Sequence, residues 1–343
     1  MSHKIGIARA HTNIALIKYW GKRDKELFLP MNSSLSLTLD AFYTDTKVVF
    51  DTSLENDCFY LNGNEQNEKE RIKISRFLDL FREYTGEGIF ARVESLNFVP
   101  TAAGLASSAS AFAALSLATA TALNLNLSPE QLSTFARRGS GSSTRSLFGG
   151  FVEWDMGTGS HDSMAHPIDP ADWDIAMLIL AVDTGPKKIA SRDGMDHTLE
   201  TSPFYQAWVE TAKIDLEEIK HAIAVKDFDK VGSLTEHNGM KMHATTLSAN
   251  PPFTYWSADS LVAQEAVRYV RQERGLAAYI TMDAGPNVKV LCRASQMNQL
   301  VDALSEVFPR EKIITSLPGK GAYILTESEW QASQVSFQKG QST

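Results

Sequence analysis

Twelve consecutive residues, Pro100-Thr101-Ala102-Ala103-Gly104-Leu105-Ala106-Ser107-Ser108-Ala109-Ser110-Ala111, carry no side chain larger than leucine and run straight into a stretch rich in alanine and leucine, residues 112–123. Alanine and leucine are strong helix formers, so the segment predicts a small-residue loop that opens a helix. Small side chains let backbone N–H groups approach a phosphate chain, and the helix start adds a positive dipole end. Ser107, Ser108 and Ser110 add hydroxyl donors. The familiar phosphate loop, with Lys before Ser or Thr, is absent. The same composition also describes a tightly packed alanine-rich helix with a serine cap, and the residues alone leave both readings open.

The rest of the chain has to supply a scaffold for such a loop. Its 343 residues exceed one average domain and allow two lobes or one large α/β unit. At 43% hydrophobic and 22% charged, the chain has ample apolar material for a core. A net charge of −8 argues against a broad nucleic-acid surface but leaves room for local phosphate sites. Cys58 and Cys292 lie far apart and lack metal-ligand spacing, so neither a structural disulfide nor a cysteine metal site is expected. The start of the chain shows no apolar run after its basic residues, and no stretch approaches the ~20 apolar residues that cross a bilayer. Cytoplasmic residence, with no membrane or nucleic-acid partner, is therefore the expectation.

Short β-prone runs at residues 5–10, 35–39, 46–50 and 58–61 predict strands separated by turns. Asn62-Gly63-Asn64 predicts a hairpin turn, since Asn and Gly tolerate positive φ. Residues 68–83 read as an amphipathic helix, and residues 89–94 as another strand. Ser128-Pro129-Glu130-Gln131 is a helix start, with Ser as cap and Pro at the first position, and that helix stops near Arg138-Gly139. Residues 176–182 are continuously apolar and of strand length, which predicts a strand inside a sheet. Helices are predicted at 203–242, broken near Lys226-Asp227, at 259–274 with Gly275 ending it, and at 296–308. Strands are predicted at 277–282, 288–292, 312–315 and 322–325. The polar tail after Thr326 reads as disordered, and a domain junction is placed in the turn-rich, charged segment 183–202.

Three more constellations have the residue types for anion chemistry. Arg137-Arg138-Gly139-Ser140-Gly141-Ser142-Ser143-Thr144-Arg145 brackets small residues with guanidinium forks suited to carboxylate or phosphate; its plain alternative is an exposed linker. In Lys18-Tyr19-Trp20-Gly21-Lys22, an extended backbone puts Lys18, Trp20 and Lys22 on one side and Tyr19 on the other; its alternative is an ordinary strand end. Lys187-Lys188-Ile189-Ala190-Ser191-Arg192 is grouped with Thr281-Met282-Asp283-Ala284-Gly285-Pro286-Asn287, where a lone carboxylate sits at a strand end. A neighbouring cation would keep Asp283 ionised, although Asp-Ala-Gly-Pro is also simply a good turn. His11 reads as a hydrogen-bonded structural histidine. Glu236, His237 and His243 lack zinc-site spacing, and Phe253, Tyr255 and Trp256 read as packing.

Taken together, the segments 10–22, 100–110, 137–145 and 282–289 resemble the diphosphomevalonate decarboxylases of the GHMP kinase superfamily, with the likeness running from Ile5 to Thr326. The Lys-Tyr-Trp-Gly-Lys run together with Arg-Arg-Gly-Ser-Gly-Ser points to the decarboxylase branch. The resemblance implies an α+β, two-lobed fold: an N-terminal ribosomal-protein-like lobe (1–183), a C-terminal α/β sandwich lobe (184–327), a polar tail (328–343) and an active-site cleft between the lobes. It implies ATP with Mg2+, and mevalonate 5-diphosphate as the small-molecule substrate, phosphorylated on its 3-hydroxyl and then decarboxylated. A homodimer is the family-level expectation.

Site roles follow from the resemblance position by position. Tyr19 and Lys22, supported by Lys18 and with Trp20, Gly21 and Arg71 in the same set, would meet the substrate. Ser140 and Ser142 would bind its phosphoryl oxygens, with Gly141, Ser143 and Thr144 in the same substrate-binding set and Ser191 and Arg192 adding diphosphate contacts. Arg145 would take the carboxylate, Asp283 would face the 3-hydroxyl, and Lys187 or Lys188 would approach the γ-phosphate. Ser95 and Asn97 fall where adenine is recognised, and Pro100, Ala103, Gly104, Leu105, Ala106, Ser107, Ser108 and Ser110 would cradle the phosphates. Ser143-Thr144 departs mildly from the family pattern of Ala with Cys or Ser; both stay small, so anion binding is expected to survive.

Overall fold

The computed structural model describes residues 4–99, 107–182 and 189–341. Its first sheet is built on two long strands, β1 (Lys4–Ile17) and, after the small hairpin β2 (Lys22–Asp24) and β3 (Leu29–Pro30), β4 (Ser34–Phe50). They pair antiparallel from Lys4 opposite Phe50 to Ile17 opposite Leu35. The two runs expected as separate strands at 35–39 and 46–50 are one strand. Residues between Thr38 and Tyr43 are taken up as a bulge opposite His11–Asn13, so the chain bends without leaving the sheet.

β5 (Cys58–Leu61) and β6 (Asn64–Glu65) form the expected hairpin, and Asn62 and Gly63 both take positive φ, 56° and 79°. Helix α1 (Glu68–Thr85) and strand β7 (Ala91–Asn97) follow. Helix α2 (Ser108–Ala122) starts where the small-residue run predicts, and α3 (Pro129–Gly139) has a full capping box between Ser128 and Gln131. The strands β8 (Phe151–Trp154) and β9 (Ala165–Asp169) extend this sheet beside β4. α1, α2 and α3 cover one face, burying Phe77, Phe81, Phe112, Ala114 and Leu132 against Ala8, Val48 and Val93.

β10 (Ala176–Leu180) lies between β12 (Val288–Cys292) and β13 (Ile313–Ser316) in a second sheet whose other strand is β11 (Ala278–Thr281). Its alternate residues enter two cores. Met177 and Ile179 face the core shared with β1 and β4, while Ala176, Leu178 and Leu180 face the other side. That two-sided burial explains why every position is apolar. β10 falls before the junction expected at 183–202, yet it belongs to the second sheet, and the chain returns to the first through β14 (Tyr323–Ile324), which pairs with β1.

Five helices of the later chain accompany this second sheet among the described residues. α4 (Ser191–Thr201) occupies the segment expected to be turn-rich, which is a correction. α5 (Tyr205–Ala224) and α6 (Phe228–Leu247) put Leu216, Ile219, Ile223, Val231 and Leu234 into the core between the sheets. α7 (Ala258–Arg274), ended by Gly275 at φ 64°, and α8 (Met297–Leu304) cover the far face. The tail expected to be disordered is helix α9 (Glu327–Gln341). Its composition is polar, but Trp330 is buried and packs with Ile7, Leu96 and Leu325, a narrow stripe that anchors an otherwise hydrophilic helix. No helix among the described residues is long and apolar enough to cross a membrane.

Candidate active site

Asp283 stands in the turn between β11 and β12. That turn is pinned from behind: Ser260 Oγ donates to the Pro286 carbonyl at 2.6 Å, and His243 Nε2 lies 3.2 Å from the Met282 carbonyl. Burial pushes the His243 imidazole down to about 4, so it stays neutral and donates this bond. Lys18, just past the end of β1, is likewise held, with its backbone N–H on Asn238 Oδ1 at 2.8 Å. Its ammonium donates to the Ala15 carbonyl at 2.8 Å and to Asp283 Oδ1 at 2.7 Å. Burial lowers the Lys18 pKa, the Asp283 charge opposes that, and Lys289 and Arg145 add to the lowering. The turn thus aims one carboxylate at a site bordered by buried cations.

Arg145 comes from the 3-10 turn Gly141–Leu147 that follows α3. It is 1% exposed, donates from Nη1 to Ser34 Oγ at 2.5 Å, and lies 5.8 Å from the Trp154 ring. Its Nε finds no hydrogen-bond partner among the described residues. Burial lowers its pKa to about 10, with Asp283 and Tyr19 opposing, so it remains a cation at neutral pH. On the same turn, Ser140 Oγ is 3.2 Å from Ser108 Oγ at the start of α2 and 3.3 Å from Ser142 Oγ. Asn13 fixes the turn by donating to the Ser142 carbonyl at 2.9 Å and Ser146 Oγ at 2.7 Å.

These groups share one cavity of about 160 Å3, lined by Lys18, Tyr19, Ser108, Ser140, Ser142, Arg145, Ser191 and Asp283. A neighbouring cavity of about 180 Å3 shares Tyr19, Ser108, Ser140 and Ser191 with it and adds Lys22, Phe28, Lys73, Gly141 and Arg192. A wider outer cavity, lined by Lys69, Lys73, Arg76, Arg138 and Arg192, opens beyond. The expected alternation of Lys18, Trp20 and Lys22 against Tyr19 does not hold, because Tyr19 and Lys22 line the same cavity. Gly21 turns the chain with φ 107°, where a Cβ would also meet Tyr205 Oη.

Gly141 matters for a different reason: a Cβ there would sit 2.8 Å from the Tyr19 ring and 2.9 Å from that of Trp154. The two rings meet at a tilt of 58° with centres 4.8 Å apart, and the Tyr19 hydroxyl is buried with no partner among the described residues. Burial raises its pKa, leaving a neutral donor aimed at the site. Lys22 is 8% exposed and its pKa is lowered, first by burial and then by Arg192. Both cations rest on Phe28, at 4.6 and 5.3 Å from its ring centre.

Several expected residues lie elsewhere. Ser143 gives its hydroxyl to the Ala136 and Ser140 carbonyls, and Thr144 gives its own to Gly141; both are buried away from the cavities. Arg137 is fully buried and donates to the Leu27, Ser163 and Ser160 carbonyls, so it ties loops together instead of facing an anion. Arg71 pairs at 3.8 Å with Glu68 and lines none of these cavities. Ser110 is buried, bonded to Thr44 Oγ1 and to the Ser107 carbonyl. Ser107 caps α2 without a side-chain bond. Ser95 and Asn97 lie on β7, bonded to Thr46 and Thr44. Trp20, by contrast, lines the cavity of Arg145 and Asp283 while packing into an aromatic core with Tyr205, Trp208 and Tyr255. Lys187, Lys188, Pro100, Ala103, Gly104, Leu105 and Ala106 lie outside the described residues.

Sequence reasoning missed Ser34, Phe28 and Lys73. Phe28 and Ser34 reach the site only through long-range packing. Lys73 had a legible signal, since a lysine follows Ile72 on the amphipathic helix read from the sequence.

Comparison with known proteins gives one consistent result. The family model for the diphosphomevalonate decarboxylase-like N-terminal domain matches residues 10–165, and that for the mevalonate 5-diphosphate decarboxylase C-terminal domain matches residues 177–340. A solved complex with MVAPP, AMPPCP and magnesium is 52% identical, with TM-score 0.90, covering 94% of this chain and 99% of that one. Mevalonate diphosphate decarboxylase from Staphylococcus aureus is 47% identical, with TM-score 0.92, covering 95% and 99%. The human diphosphomevalonate decarboxylase is 37% identical over 88% of this chain and 80% of its own length. With matches that span both sheets and the residues around both cavities, the chain belongs to the diphosphomevalonate decarboxylase family.

Proposed function

We propose that this chain catalyses the ATP-dependent decarboxylation of mevalonate 5-diphosphate to isopentenyl diphosphate, with release of ADP, phosphate and CO2. The observation that carries the reading is the meeting of Arg145, Asp283 and Lys18 with the hydroxyls of Ser140 and Ser142 in one cavity that adjoins the Lys22–Arg192 cavity. The pair suits a molecule with a carboxylate at one end and a diphosphate at the other. Tyr19, Lys22, Ser191 and Arg192 take the diphosphate. The Arg145 guanidinium, with Nε still to be satisfied, takes the carboxylate, and Asp283 orients the 3-hydroxyl. That a relative holds MVAPP, AMPPCP and magnesium supports the assignment.

The start of α2 with Ser108, and the outer cations Lys73 and Arg138, fit a nucleotide triphosphate. Lys187 or Lys188, the loop residues Pro100, Ala103, Gly104, Leu105 and Ala106, and Ser95 with Asn97 for adenine complete that site by family likeness. No cluster of three His, Cys, Asp or Glu able to cage a metal occurs among the described residues, so Mg2+ would be held mostly by nucleotide and water. When bound, ATP with Mg2+ supplies the phosphoryl group that makes the tertiary hydroxyl a leaving group. The chain's own work is positioning and charge neutralisation. Arg145 aligns the carboxylate, whose C–C electrons move toward C3 as phosphate leaves.

The lobes are taken as 1–183 and 184–327, with β10 and β14 as the strands that cross between their sheets. The working form is taken to be a cytoplasmic homodimer, which sedimentation of the purified chain tests. The activity itself is tested by incubating wild type and Asp283→Ala with ATP and the diphosphate substrate, scoring CO2 separately from ADP. Wild type should release both in equal amounts, and the variant should bind nucleotide yet release little of either. ADP without CO2 from the wild type would overturn the reading.

A further inference from the structure

We infer that Lys289 is a positioning residue for this reaction, holding the second oxygen of the Asp283 carboxylate while Lys18 holds the first. The inference rests on the proposed function above and adds a residue to it. Lys289 is the second residue of β12, in a strand whose other members are Val288, Val290, Leu291 and Cys292, all buried. Its own side chain is 0% exposed. Lysine is almost never fully buried unless its charge is paired. In register it lies between Ile179 of β10 and Thr281 of β11, so the sheet encloses it on both sides.

The ammonium donates to the Asn287 carbonyl at 3.2 Å and stands 3.6 Å from Asp283 Oδ2. The first contact anchors the head group on the turn that carries Asp283. The second is too long for a strong hydrogen bond and acts as a charge contact. Lys18 Nζ is 2.7 Å from Asp283 Oδ1. One carboxylate therefore lies between two buried ammonium groups from different strands, a constraint on both its rotation and its charge. A methionine would fill the same volume without the desolvation cost of a buried charge, so packing alone does not call for lysine here.

Among the described residues, Lys18 from the end of β1, Lys289 from β12, Arg145 from the 3-10 turn and the neutral His243 from α6, four groups in all, face Asp283. Three of them are cations. Held by charge at both oxygens, the carboxylate is fixed in orientation, so its contribution is to set the direction of the hydroxyl. Removing the Lys289 charge withdraws the contact to Oδ2 and one cation that favours the ionised carboxylate.

The test is the full-length chain carrying Lys289→Met, compared with wild type for kcat, KM and the pH dependence of kcat, with substrate binding measured by calorimetry. The expected result is a kcat about tenfold or more lower, KM within about threefold, and the acid limb of the kcat profile displaced to higher pH by about one unit. Lys289→Gln, which keeps a donor for the Asn287 carbonyl but not the charge, should behave the same way; it also serves if the methionine variant fails to fold. An unchanged acid limb and kcat in a variant that only melts earlier would overturn the inference. A wild type that releases no CO2 would instead overturn the function itself.

Discussion

The indole Nε1–H of Trp20 donates to Thr198 Oγ1 at 2.8 Å, which ties the segment bearing Tyr19 and Lys22 to α4, the helix bearing Ser191 and Arg192. A second bond from Tyr205 Oη to the Trp20 carbonyl, at 2.5 Å, holds the same residue from α5. The segment bearing Tyr19 and Lys22 and the helix bearing Ser191 and Arg192 are thus joined through the buried Trp20.

Thr198→Val removes the acceptor and leaves a buried indole N–H unpaired. The expected cost is about 1–3 kcal/mol of stability, read from the urea midpoint, together with a higher KM for the diphosphate substrate. An unchanged midpoint would mean that the indole finds another acceptor.

Arg145→Lys keeps a positive charge but loses the planar fork that reaches both Ser34 Oγ and a carboxylate. Release of CO2 should fall by about a hundredfold or more, while nucleotide binding persists. Ser34→Ala should give a smaller loss in the same direction. Undiminished CO2 release by Arg145→Ala would remove this arginine from the mechanism.

Phe28 holds φ 56°, a conformation unfavourable for a bulky side chain, and carries Lys22 and Arg192 on its ring. Cation–ring contacts are worth about 0.5–1 kcal/mol each where partly exposed. Phe28→Leu should raise KM for the diphosphate substrate by roughly 2- to 20-fold with kcat little affected, and Phe28→Trp should restore it. Equal KM values for the leucine and tryptophan variants would show that only bulk matters.

His166 donates from Nδ1 toward Asp155 at 3.2 Å and lies 3.6 Å from Glu153, which Lys220 of α5 also meets at 3.3 Å. The Asp155 carboxylate, then that of Glu153, holds the imidazole up to about 9 from 6.5. The folded state therefore binds the extra proton more tightly than the unfolded chain does. This contribution is fully present below pH 6.5 and is lost as pH rises through about 9. The urea midpoint of wild type should fall over that window more than that of His166→Asn. The site is half-exposed, so solvent keeps the difference modest.

Much of the local structure was legible because local signals decide it. The Ser128–Gln131 capping box, the positive φ of Asn62 and Gly63, the Gly275 stop and the two-sided burial of β10 all follow from side chains within a few residues of each other. α4 and α9 escaped detection for a related reason. Their sequences are polar, and their helicity depends on narrow contacts, Trp20 with Thr198 and Trp330 with Ile7, made by partners distant in the chain.

In the Gly-Ser turn the limit is sharper. Ser140, Ser142, Ser143 and Thr144 read alike along the chain, yet Ser140 and Ser142 line the cavity while Ser143 and Thr144 bond to backbone. Arg137 and Arg145 carry the same side chain, but one binds loop carbonyls and the other faces Asp283. A 3-10 turn rotates each successive residue by roughly a third of a circle, so its placement against β1 and α2 sets which hydroxyls face inward.

By itself the sequence determined the caps and stops of its strongly patterned elements, which strand is buried on both faces, and which segments hold the cations and small residues that anion chemistry needs. Only the tertiary structure decided that Lys18 and Lys289, 271 positions apart, flank one carboxylate, and that Ser34 supports Arg145. The physical reason is range. Backbone propensity and capping act over a turn or two, whereas a charge is tuned by whatever packing brings within a few ångströms, and that depends on the whole fold.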